Sequence, residues 1–407
     1  MTILDATVPI DPPVNAQARQ ALVASIAGYA MDGFDFLLLG LVMAALSRDL
    51  GLAPTAGASL ATWTLLGAVA GGFLFGVLAD RFGRVRVLSL TSLLFAAFTG
   101  LSALAQGYAD LAAYRFIAGL GLGGEFGIGM ALVAETWPAS QRARVSSYVG
   151  LGWQVGVLAA VLITPILLPV IGWRGMFAVG VLPALASFLI RRAVPEPTLR
   201  PASERAPFPV RALIKDAATT KISLGMVILC SVQNFGYFGL MIWLPNYLAK
   251  AFGFSLPQAA IWSSVTVLGM MAGIFVFGQL ADRIGRKPAF VGYQLGAAIM
   301  VVVYAQLRDP MALLVGGAVM GFFVNGMLGG YGALMSELYP TEARATAQNV
   351  LFNIGRGVGG FGPVAITALA SAYSASTAIA LLAVIYLIDI AATLFLIPER
   401  RGAPLPA

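Results

Sequence analysis

Residues 31–40 read MDGFDFLLLG, with Asp32 and Asp35 set three residues apart in an otherwise apolar run. On a helix that spacing puts both carboxylates on one face. An aspartate at the centre of a membrane helix costs about 2.5–3.5 kcal/mol to insert. Two on one helix should therefore face a cavity and carry function. Burial and mutual repulsion disfavour two charges side by side, and a proton on one of them relieves both. The chain has no histidine. Proton transfer would have to run through carboxylates, and histidine-based catalysis or metal binding is excluded. A lone cysteine, Cys230, excludes an intrachain disulfide and a cysteine-based metal site.

Other ionisable residues also stand in apolar runs. Arg115 and Glu125 lie in YRFIAGLGLGGEFGIGM, about 15 Å apart along a helix. Arg115 could pair with Asp32 or Asp35. Glu125 could be a second proton site or the partner of an arginine across the bundle. The GLGLGG run follows no strand and lacks the Lys-Ser/Thr of a phosphate loop. Arg356 stands in FNIGRGVGG. A guanidinium forks two hydrogen bonds to a carboxylate, and the glycines around it leave room for a ligand. Arg356 is the leading candidate for binding an anionic substrate. Phe34, Trp153 and Tyr237 are candidates for stacking on a planar one. Asp389 has no obvious role.

These residues need a scaffold in a bilayer. The chain has 407 residues, 59% hydrophobic and 11% charged, with a mean hydropathy of +0.87. Soluble domains carry roughly 25% charged residues. A spanning helix needs about 20 apolar residues, and twelve segments qualify: 20–44, 60–79, 87–106, 109–133, 146–169, 173–191, 222–248, 258–280, 289–307, 311–335, 346–369 and 375–397. The net charge of +7 lies in short loops on one side, which fits cytoplasmic loops and termini better than nucleic-acid binding. The expected fold is all-α, with two six-helix halves at 20–191 and 222–397. A cytoplasmic tail at 1–19, a Pro- and Arg-containing linker at 192–221 and a tail at 398–407 complete it. No cleavable signal peptide is visible.

The halves repeat. GVLADRFGRVR at 76–86 matches GQLADRIGRKP at 278–288, an offset of 202. At that offset Glu135 and Arg142 of ETWPASQR fall on Glu337 and Arg344 of ELYPTEAR. Duplicated halves of this kind suit alternating access around a midplane site. The same offset maps Asp32 to Asn234, Asp35 to Tyr237 and Gln154 to Arg356, so acids in one half face neutral hydrogen-bonding groups in the other. Asn234, Tyr237 and Gln154 are accordingly candidate substrate ligands.

The repeated G-x-L-A-D-R-x-G-R loop resembles that of the major facilitator superfamily, and the resemblance covers essentially the whole chain. It implies twelve helices in two pseudo-symmetric halves. It also implies a cytoplasmic gate latch built from Gly76, Asp80, Arg81, Gly83, Arg84, Glu135 and Arg142, with Gly278, Asp282, Arg283, Gly285, Arg286, Glu337 and Arg344 as its repeat. The D-G-F-D stretch resembles the aromatic acid:proton symporters and the sialic acid:proton symporters. AETWPASQRAR and Gly172-Trp173-Arg174 resemble both. By that resemblance Asp32 and Asp35 couple protons with Arg115, and Asn353 with Arg356 resembles the aromatic-acid carriers. The implied function is proton-coupled import of a small organic anion, an aromatic acid or another carboxylate. Sialic acid symport is the alternative within that branch. A drug exporter is a further alternative, although the fifth span, GLGWQVGVLAAVLITP, lacks the G-P-x-x-G-G pattern of exporters. The expected protein is a monomer in a bacterial inner membrane, with no enzymatic activity, cofactor, metal or nucleic-acid partner.

Overall fold

The computed structural model describes residues 15–192, 194–196, 209–243, 248, 253, 256–401 and 405–406. The first half comprises α1 (Ala16–Asp49), α2 (Pro54–Phe82), α3 (Arg84–Ser102), α4 (Tyr108–Thr136) and α5 (Arg142–Arg192). The second comprises α6 (Ala217–Phe238), α7 (Leu256–Ile284), α8 (Arg286–Tyr304), α9 (Pro310–Gly326), α10 (Leu328–Leu338), α11 (Arg344–Gly359), α12 (Gly362–Ala372) and α13 (Ala375–Leu396). Starts follow side-chain caps where the sequence supplies them. Asn15, Asp216, Asp309 and Ser374 each accept a backbone N–H from three residues on, which meets one of a helix's orphan donors.

Twelve spans emerge, although the element boundaries differ from a simple count. Helix α5 holds two spans, because Gly172 has φ 65° and ψ 177°. A side chain rarely adopts that conformation, and here it sends the chain back across the bundle. Arg142 at one end of α5 pairs with Glu337 and Val194 just past the other packs with Val85 beside the α2–α3 loop, both at the face with the Arg-rich loops, while Trp173 reaches Asp49 at the opposite face. The tenth span breaks at Met327 and the eleventh at Gly360–Phe361, ahead of Pro363. Among the described residues, ten helices are long and apolar enough to cross a membrane by length and composition. The second span of α5 and the α11–α12 pair bring the arrangement to twelve.

Helix α1 starts at Ala16, so the expected 1–19 tail is helical from there. Arg192 ends α5, inside the expected linker. The rest of that linker lies outside the described residues over 197–208, and Pro209–Leu213 form a short 3-10 turn. In the seventh span, Gly239–Trp243 form a π-turn after α6.

Packing repeats as the loops do. A methyl on Gly67 or Gly71 of α2 would run into the carbonyls of Phe116 or Leu120 on α4; a methyl on Gly269 or Gly273 of α7 would run into those of Ala318 or Phe322 on α9. The two pairs lie 202 residues apart. Small residues four apart are the means by which membrane helices approach closely.

Candidate functional site

A small cavity lies between the halves. Helices α1 and α5 contribute Tyr29 and Trp153; α6 contributes Gln233, Asn234 and Tyr237. Asn325 and Leu328, either side of the Met327 break, and Phe352 and Arg356 of α11 complete the lining. The Arg356 guanidinium is 5.1 Å from the Trp153 ring centre and 5.4 Å from that of Phe352. Its Nε and Nη1 have no protein acceptor, and the Tyr29 hydroxyl sits beside it. A buried cation between aromatic faces, with donors still to satisfy, is suited to an anion.

Four of the sequence candidates line this cavity: Arg356, Trp153, Asn234 and Tyr237. Three do not. Phe34 packs with Leu38, Met176 and Phe177 inside the first half. Asn353 spends its amide N–H groups on the backbone oxygens of Gly123 and Asn349, both at 2.8 Å, tying α11 to α4. Gln154 is buried behind the lining, near the Tyr237 hydroxyl. The lining residues Tyr29, Gln233, Asn325 and Phe352 escaped the sequence reading. Gln233 and Asn325 did carry a signal, as amides inside otherwise apolar spans.

The two aspartates, although on one helix, have different surroundings. Both are fully buried. Asp35 takes a fork from Arg115, Nη1 to Oδ1 at 3.1 Å and Nη2 to Oδ2 at 2.5 Å, and accepts from Thr99 at 3.2 Å. Arg115 also lies over the Phe177 ring. Asp35 is thus embedded in the first half. Asp32 is one turn on from Tyr29, and both Asp32 and Arg356 act electrostatically on the Tyr29 phenol. Glu125 accepts from the Thr91 and Ser92 hydroxyls at 2.8 and 3.0 Å, joining α4 to α3.

At the face with the Arg-rich loops the halves clasp one another. Asp80 accepts from the N–H groups of Ala345 and Thr346 at 3.2 and 2.8 Å and pairs with Arg84 at 2.8 Å. It therefore caps the start of α11 in the opposite half, favourably for the helix dipole. Asp282 does the same for α5, accepting from Ala143 and Arg144 at 3.1 and 3.0 Å and pairing with Arg286 at 2.9 Å. Glu135 bridges Arg84 and Arg344 at 3.1 and 2.9 Å. Glu337 bridges Arg286 and Arg142 at 2.8 and 3.7 Å. Gly76 lies against Thr346 and Gly278 against Ser147, where an added Cβ would press on the helix of the opposite half. Arg81 and Arg283 are exposed at the rim.

Gly83 and Gly285, at φ 112° and 107°, turn the loops. Beside them stand two residues that sequence reasoning missed. Glu196 accepts from the N–H groups of Val85 and Arg86, and Glu399 from those of Arg286 and Lys287. V-P-E-P and I-P-E-R at the ends of the two halves were the available signal.

The sequence profile of the Major Facilitator Superfamily matches residues 26–260 and 226–407. The chain belongs to this superfamily. Like its relatives in the superfamily it is a membrane transporter and not an enzyme. A Haemophilus influenzae protein described generically as a metabolite transport protein is 63% identical, over 96% of this chain and 99% of its own. The cis,cis-muconate transport protein of Acinetobacter baylyi is 30% identical over 92% of this chain and 93% of its own. The sialic acid transporter NanX of Escherichia coli is 29% identical over 88% and 89%. The proton:xylose symporter XylE, solved with 6-bromo-6-deoxy-D-glucose, shares the superfamily fold at TM-score 0.80 and 17% identity, covering 97% of this chain and 98% of that one.

Proposed function

We propose that this transporter imports a small organic anion, an aromatic acid or another carboxylate, together with protons by alternating access. The observation that carries the reading is Arg356, whose Nε and Nη1 lack a protein acceptor in a cavity walled by Trp153 and Phe352. A carboxylate forks onto a guanidinium, and flat aromatic walls favour a flat substrate. The relatives named for muconate and sialic acid, both organic acids, support the same class.

Asp32 takes the coupled proton in this reading. Asp35 is already compensated by Arg115, whereas Asp32 shares Tyr29 with Arg356. A proton on Asp32 and a carboxylate on Arg356 would then each change the field felt by the other. Asp35, Arg115 and Glu125 hold that corner of the first half in shape. With the latches at Asp80 and Asp282 formed, the cytoplasmic face is shut and substrate enters from outside. Loading breaks the latches, the halves rock, and substrate and proton leave inside. Importing one proton more than the substrate's charge yields about 2.3 kcal/mol per 100 mV, enough for roughly 50-fold accumulation. The protein acts as a monomer in a bacterial inner membrane with both termini in the cytoplasm.

The test is substrate-dependent acidification of proteoliposomes carrying an internal pH dye. Benzoate, hydroxybenzoates, sialic acid, lactate and shikimate form the panel. Acidification with one ligand, abolished by Arg356→Ala and by Asp32→Asn, is expected. Uptake with a flat internal pH would overturn proton coupling in favour of anion exchange.

A further inference from the structure

The cavity has a second polar station besides Arg356. The Nε2 of Gln233 on α6 donates to the Oδ1 of Asn325 on α9 at 2.6 Å. Both side chains are buried and both line the cavity. That bond uses one atom of each amide. The other pair, Gln233 Oε1 and Asn325 Nδ2, has no protein partner. The conclusion does not depend on how the amides are turned. With both flipped, Asn325 would donate to Gln233, again leaving one acceptor and one N–H donor. Either way the pair presents a carbonyl oxygen and an N–H side by side to whatever fills the cavity.

A group that meets both must accept and donate at once. A hydroxyl does this; a ring C–H does neither, and a carboxylate only accepts. Charge points the same way. Among the described lining residues Arg356 is the one cation, and Asp32 stands behind Tyr29. One negative charge on the ligand is matched and a second is not. The walls are rings, with Tyr29 and Trp153 at 5.2 Å and Trp153 and Tyr237 at 6.2 Å between centres. Building on the carboxylate reading above, we propose that the substrate is a flat monocarboxylate bearing a neutral hydroxyl, with Arg356 reading the carboxylate and the Gln233–Asn325 pair reading the hydroxyl.

The proposal concerns selectivity, so its test compares substrates in one preparation. Full-length protein in proteoliposomes is assayed for uptake of benzoate, the three hydroxybenzoate isomers and terephthalate. At least one hydroxybenzoate should be taken up with an apparent affinity about tenfold or more above benzoate, because lacking the hydroxyl leaves buried amide atoms unmet. Terephthalate, with two charges, should be a poor substrate. Gln233→Leu and Asn325→Leu should erase the preference for the hydroxyl, bringing the hydroxybenzoates down to the affinity of benzoate in the same variant. Benzoate matching every isomer in the wild type would overturn the inference and leave the carboxylate reading intact. So would a preference that survives in both leucine variants, since the hydroxyl would then be read elsewhere. Should the leucine variants fail to fold, the wild-type ranking still decides. No uptake of any carboxylate, or uptake undiminished in Arg356→Ala, would overturn both readings.

Discussion

The indole N–H of Trp153 donates to the Tyr237 hydroxyl at 2.7 Å. Trp153 belongs to the first half and Tyr237 to the second, so the bond crosses the cavity at the seam along which the halves must part. The same indole ring faces Arg356. Trp153→Phe separates the two roles, because it keeps an aromatic face and loses the donor. A neutral buried hydrogen bond contributes about 1 kcal/mol, so the phenylalanine variant should show a severalfold rise in the KM for uptake. Trp153→Ala removes the ring as well and should cost at least tenfold more. Equal KM values for the two variants would mean that the ring contributes nothing to binding.

The Asp35–Arg115 fork predicts a stability effect that Asp32 does not share. Removing one partner of a buried pair strands the other charge, at a cost of about 3–5 kcal/mol. Asp35→Asn should therefore lower the melting temperature in detergent by several degrees. Adding Arg115→Gln, which removes the stranded cation, should recover most of the loss. A double variant no more stable than the single one would contradict the assignment of Arg115 as the principal partner.

Much of this arrangement was legible in the sequence, and the parts that were not have physical reasons. The ADRxGR loops could be read because a short motif recurs at one offset, and the latch residues Asp80, Arg84, Asp282 and Arg286 stand where that repeat implied. Arg356 could be read because a mid-span arginine is costly and therefore informative. Phe34 lies outside the cavity lining because an aromatic next to an aspartate shares its helix but not its direction. Successive residues turn by a large angle, and Phe34 faces Phe177 instead of the cavity. Asn353 looked like a ligand because nothing in its sequence reports a neighbouring carbonyl on α4, yet Gly123 supplies one. Gln233 and Asn325 meet from spans 92 residues apart, and only the fold brings them together.

The latches are equivalent by symmetry, and that equivalence can be tested. Asp80 and Asp282 each cap a helix of the opposite half. Replacing either with asparagine weakens one cap and one ion pair by about 1 kcal/mol or more. Both substitutions should favour the state open to the cytoplasm. A cysteine placed at Ala345, fully buried in this state, should react severalfold faster with a membrane-impermeant thiol reagent from that side, in a Cys230→Ser background. Glu135→Gln and Glu337→Gln should act in the same direction. A response confined to one half would show that only one latch bears on the cytoplasmic gate.

Asp389 on α13 provides the last prediction. It is fully buried, and its surroundings are Gln294 of α8, Cys230 of α6, Tyr331 of α10 and Tyr386 one turn before it. Among the described residues it makes no ion pair. An isolated charge there would be costly, and none of these neighbours supplies an opposite charge. An amide has nearly the same shape and can still meet Gln294. Asp389→Asn should therefore fold as the wild type does and carry substrate within about twofold of it, whereas Asp389→Lys, a cation with no carboxylate to face, should fail to accumulate in the membrane. Uptake lost in the asparagine variant with normal expression would mean that a titrating carboxylate on α13 belongs to the transport cycle, and Asp32 would not be its sole proton carrier.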